Sequence, residues 1–183
     1  TEDFYVDDDW DGLASGADPD GAGHADAMGT DAFSTIQAAI NAVTVETTIH
    51  VAEGTYNESV HIYNEADLAL QGSAGTILTG DSDGSDDLNA GDLYAHQGIH
   101  IWKSTNIAIS GFEIENFLVD RTVAASDTGV ITINGVSDGI VIADNAIHDI
   151  TVVGGNTAVT DDETPIATTT GGAGILVGGN QGT

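Results

Sequence analysis

"IAISGFEIENF", residues 107–117, sets apolar side chains at Ile107, Ile109, Phe112, Ile114 and Phe117 and breaks their alternation at Gly111. A period of two excludes a helix, and a glycine in mid-run does not belong in a flat strand. The pattern returns as "IVIADNAIHDI", residues 140–150. Ile107, Ile109, Ile114 and Phe117 align with Ile140, Ile142, Ile147 and Ile150 at one constant offset of 33 residues. Just upstream, Ile99 and Ile101 align with Ile131 and Ile133 at an offset of 32. Short strands recurring at such a period cannot bury an apolar face alone, and stacking on the next repeat solves that. Two strands joined by a corner at Gly111 are therefore expected. Each should run parallel to its counterpart one repeat away, at about 4.8 Å.

After Thr47 the chain is a series of short β-prone pieces, among them "TIHVA", "SVHIY", "LALQG", "TILTG", "GIHIW", "GVITI" and "GILVG". Gly, Asn or Asp separates them, with few of the dipeptides that make tight hairpins. The one helix expected lies in "DAFSTIQAAINAV", residues 31–43. There Phe33, Ile36, Ala39, Ile40 and Val43 keep helical spacing, and Ser34 and Gln37 are placed as a capping box. Residues 1–30 are acidic and turn-rich. The division expected is that segment followed by the helix and three to four repeats over 31–183, within a single domain.

"FSTIQAAINAV…TIHVAEGTYNESVHI…LALQGSAGTILTG" resembles the N-terminal entry of the right-handed parallel β-helix proteins, the pectin-lyase-like superfamily. "STNIAISGFEIENF" and "SDGIVIADNAIHDI" are similar to its internal coils, and "FYVDDDWDG…DPDGAG" resembles the start of large bacterial secreted and surface β-helix proteins. The resemblance covers about residues 30–150. It implies an all-β, right-handed parallel β-helix, a solenoid whose first coil is capped by one N-terminal α-helix. It implies much less about function, because this fold carries lyases, hydrolases, esterases, adhesins and inert spacers.

The 183 residues hold 30 acidic side chains against two basic ones, Lys103 and Arg121, for a net charge of −28. Such a surface cannot neutralise phosphates, which argues against nucleic acid, and it repels anionic membranes. No apolar run is long enough to span a bilayer, so no membrane insertion is expected. There is no cysteine for disulfides or thiolate metal sites. Of the 30 acids, 22 are Asp, the carboxylate suited to turns and to hard cations.

The densest cluster is "GDSDGSDDLNAGD", residues 80–92, with Asp81, Asp83, Asp86, Asp87 and Asp92. Calcium takes six to eight oxygens and a flexible acidic loop supplies them, so Ca2+ is the expected cofactor there. Asp86 stands where an EF-hand has Gly, so the loop is not an EF-hand. In "VDDDWDG", an extended chain would point Asp7 and Asp9 the same way to share an ion, with Asp8 facing elsewhere. Asp18 and Asp20 read equally well as turn formers. His50, His100 and His148 fall in the outward phase of their strands, and no pair of histidines has the spacing of a helical zinc motif. Trp102 and Tyr94 flank a loop and are candidates to stack on a sugar ring.

No catalytic residues are expected. "GTYNE", residues 54–58, resembles one motif of the pectin methylesterases, but the segments carrying that family's catalytic aspartates and arginine have no counterpart. Two basic residues are too few for the pectate lyase pattern, and the polygalacturonase-type patterns are also missing. The function expected is thus a non-catalytic, calcium-stabilised structural or adhesive module of an extracellular or cell-surface protein, with a polysaccharide or neighbouring surface protein as partner. One alternative is a carbohydrate-active enzyme completed by residues beyond Thr183. Another is head-to-tail self-association at the last coil, where "GGNQGT" supplies no cap.

Overall fold

The computed structural model describes residues 1–21, 23–80, 97–120, 129–153 and 175–177. The first elements are β1 (Glu2–Val6), a 3-10 turn (Asp8–Trp10), β2 (Ala32–Phe33), α1 (Ile36–Ala42), β3 (Thr47–Val51), β4 (Gly54–Asn57) and β5 (Val60–Tyr63). Then come β6 (Ala66–Gly72), β7 (Thr76–Thr79), β8 (Ile99–Trp102), β9 (Thr105–Ser110), β10 (Glu113–Glu115) and β11 (Leu118–Asp120). β12 (Ile131–Asn134), β13 (Val141–Ala143), β14 (Ala146–His148), β15 (Thr151–Val153) and β16 (Ile175–Val177) follow. The described residues are predominantly β, on parallel sheets, with one α-helix.

The first sheet has the order β13-β9-β6-β3-β1-β2, the second β14-β10-β7-β4 and the third β16-β12-β8-β5, with β11 and β15 as a further pair. From β3 onward the chain visits the first, second and third sheets in rotation. Register agrees with the repeat: Ile109 lies opposite Ile142, Ile114 opposite Ile147, and Ile99 and Ile101 opposite Ile131 and Ile133. Inward residues of all three sheets meet in one core, where Ile49, Leu70, Leu78, Ile99, Ile107 and Ile114 are fully buried.

Corners fall where the chain changes sheet, and they use the left-handed region. Gly111 (φ +83) joins β9 to β10, and Asp144 (φ +55), 33 residues on, joins β13 to β14. Asp67 and Asn106 are the second residues of β6 and β9, Gly139 stands two residues before β13, and Asn116 and Asp149 follow the second-sheet strands β10 and β14. All non-glycine residues with positive φ among those described are Asn or Asp except Lys103, as expected from the short polar side chains that tolerate this conformation. Part of the Asp excess is therefore corner chemistry. The side chain of Asn145 completes one corner, accepting from Phe112 N–H at 2.9 Å and donating to the Ile109 and Ala143 carbonyls.

The N-terminal segment covers the starting edge of each sheet. Residues 2–6, read from sequence as part of a turn-rich stretch, form β1, which pairs with both β2 and β3. Phe4 and Val6 point inward. The Asp8 carboxylate accepts the Thr55 N–H on β4 at 3.1 Å, and a Cβ at Gly54 would collide with that carboxylate. Over β5 lies α1. Its Gln37 side chain accepts from His61 N–H at 2.7 Å and donates to the His61 carbonyl at 3.1 Å, as a neighbouring strand would.

The helix start differs from the expected capping box. Thr35, not Ser34, is the N-cap and accepts from Ala38 N–H. Gln37 is spent on β5, and Glu58 takes over, receiving the Ile36 and Gln37 N–H groups at 2.8 and 2.9 Å. Burial pushes the Glu58 carboxyl above its ordinary range, against those two hydrogen bonds. Its ionised form is thus disfavoured by folding: the contribution to stability is greatest in acid and is lost as pH rises through the raised value. The bonds still matter structurally. Glu58→Ala leaves two helix-start donors without their partner and is expected to cost about 1–3 kcal/mol. The urea midpoint reads this, and Glu58→Gln, which keeps one acceptor, should recover part of the loss.

Candidate functional site

Strands β10 and β14 place side chains alternately inside and outside. Ile114 and Ile147 face the core, which leaves Glu113, Glu115 and His148 outward on the second sheet. Glu115 lies opposite His148 and Glu113 opposite Ala146. The small Ala146 leaves room for the imidazole to lean across to Glu113. His148 Nε2 is 2.8 Å from Glu113 Oε1, while Nδ1 is 2.9 Å from Asp149 Oδ2 and 3.7 Å from Glu115 Oε2. Among the described residues, Glu113, Glu115 and His148 form one group whose ligand atoms all lie within 4.8 Å of one another.

Hydrogen bonds to Asp149 and then Glu113, with the charges of both, raise the His148 pKa above 6.5, against a small opposing effect of burial. The protonated ring is thereby favoured over the neutral one. Its favourable contribution is present in full below the unfolded value and fades as pH rises through the raised folded value.

A second polar group lies on the outer face of the third sheet. Tyr63 Oη is 2.6 Å from His100 Nδ1, and His100 Nε2 is 2.8 Å from Asn134 Oδ1. His61 stacks on Tyr63 at 5.1 Å, and Trp102 meets Tyr63 edge-on with the Lys103 ammonium 4.0 Å above its indole. Outward phase did not mean exposure for His100, which is 2% exposed.

Of the expected calcium ligands, Asp81, Asp83, Asp86, Asp87 and Asp92 lie outside the described residues, as does Tyr94. Asp7 and Asp9 are described. Residues 8–10 form a 3-10 turn instead of an extended run, and Asp7 caps it by accepting the Asp9 N–H at 3.0 Å. Asp18 and Asp20 act in turns, accepting from Gly21 and from His24 and Ala25 respectively. Helical spacing between histidines does not reveal the Glu113, Glu115 and His148 group, whose members lie on two paired strands. The 33-residue offset, which carries Glu115 onto His148, is the signal that finds it.

No family model and no curated protein matches the chain.

Proposed function

We propose that the chain is the capped N-terminal part of a right-handed parallel β-helix, a rigid non-catalytic module of an extracellular or cell-surface protein with a structural or adhesive role. The observation that carries this reading is the rotation of parallel strands through three sheets with the first edge of each occupied. Unpaired sheet edges invite further pairing, so covering one end defines where the stack begins and leaves its length to serve as a spacer. The loops read from sequence at 80–97, 117–128 and 151–173 each end shortly before a strand of the third sheet. In stacked repeats that common position favours one presenting side, suited to a polysaccharide or a neighbouring surface protein.

Calcium belongs to the proposal through the acidic stretch from Asp81 to Asp92. The expected result is a higher melting temperature with Ca2+ than with chelator, and no product from a panel of neutral and acidic polysaccharides. An unchanged melt removes the ion from the proposal. Released sugar products would replace the module with a carbohydrate-active enzyme.

A further inference from the structure

We propose that Glu113, Glu115 and His148 bind a divalent transition ion of the zinc class, with His148 Nε2 and the two carboxylates as protein ligands. Asp149 acts from behind as a positioning residue on Nδ1.

The donors come from two adjacent strands whose pairing fixes them: Glu113 to Ala146, Ile114 to Ile147, Glu115 to His148. Side chains two apart on a strand share a face about 6.6 Å apart along it, so both carboxylates face the ring, which projects beside Glu115 and leans toward Glu113. The 2.8 Å separation of Nε2 and Glu113 Oε1 is shorter than the ~3.3 Å edge of a tetrahedron with ~2.0 Å bonds. A small side-chain adjustment therefore admits an ion. Glu115 Oε2 lies 3.7 Å from Nδ1, within the same 4.8 Å group, so it supplies the third ligand by rotating its side chain toward the Nε2 side, and water supplies the fourth.

A carboxylate on the far ring N–H is the usual support of a metal-bound histidine, fixing tautomer and orientation. Asp149 holds Nδ1 at 2.9 Å from a backbone bent to φ +53 directly after β14. One imidazole with two carboxylates suits zinc-like ions. Calcium needs six to eight oxygens and does not favour a ring nitrogen. On binding, the ion takes the place of the Nε2 proton, and one proton passes to solvent.

The test is calorimetric titration of the full chain with Zn2+, in physiological salt and excess Ca2+ to occupy non-specific carboxylates. Nitrogen shifts of the His148 ring are followed in parallel. One ion per chain is expected, with the Nε2 resonance moving. His148→Gln and Glu113→Gln should each weaken binding at least about tenfold, and Asp149→Asn by about 10–100-fold, with circular dichroism unchanged. Binding that survives His148→Gln unaltered, a static Nε2 resonance, or no saturable Zn2+ binding in the presence of Ca2+ would overturn the proposal. None of these results bears on the scaffold, whose test is the calcium melt and the polysaccharide panel.

Discussion

Gly111→Val is expected to abolish folding or lower stability by more than about 4 kcal/mol, beyond what most single substitutions cost. Two effects combine at this corner. A β-branched residue is strongly disfavoured at φ +83. The added Cβ would also fall on the Gly72 carbonyl of the stacked corner, and a Cβ at Gly72 would in turn meet the Gly111 carbonyl oxygen at 2.8 Å. Neither group is the end of a flexible side chain, so relief requires separating two paired strands. Far-UV circular dichroism with urea unfolding measures the effect. A variant within about 1 kcal/mol of the parent would show that the corners do not stack in this way.

Leu70→Ala comes next, with an expected loss of about 2–5 kcal/mol. Leu70 is fully buried and lies in register between Ile49 and Ile109. Truncation empties a space that rigid neighbours above and below cannot close. Because Leu70 and Ile109 are stacked neighbours, Leu70→Ala and Ile109→Ala should be non-additive, with a coupling of about 0.5–3 kcal/mol in a double-mutant cycle. Ala108→Ser, on the outward side of the same strand, is the control and should stay within about 0.5 kcal/mol. Full additivity of the two core truncations would separate Leu70 from Ile109 and break the register.

The repeat was legible because inward aliphatics must alternate and must recur at the turn length, so Ile114 and Ile147 announce each other across 33 residues. Strand β1 was not legible. Only Phe4 and Val6 mark its inward face, and the acidic residues around them carry no periodicity. The cap at α1 was misplaced by one residue because Ser34 and Thr35 are both good N-caps. Glu58, 22 positions beyond Ile36, decides between them. The pairing of Glu115 with His148 followed from the 33-residue offset, which these polar residues obey as the aliphatic ones do. The reach of His148 to Glu113 did not, since it depends on a diagonal lean past Ala146 that no spacing rule contains. Left-handed aspartates were half legible: the composition suggested turns or cations, and Asp67, Asp144 and Asp149 take positive φ where the chain bends or enters a strand.

Strand β1 precedes both neighbours in sequence yet lies between them, with β2 on one side and β3 on the other. The sheet therefore cannot grow outward from β3 by adding strands in the order of the chain. Glu2 waits for Thr47, and Tyr5 for Ala32, so two loops of different length must close around one segment. Closure of the longer loop costs little more than the shorter, because the entropy grows only logarithmically with length. Until the longer loop closes, β3 has no neighbour on its outer side, and until the shorter closes β1 is itself a bare edge, so this end is covered only when both halves of the clasp have arrived.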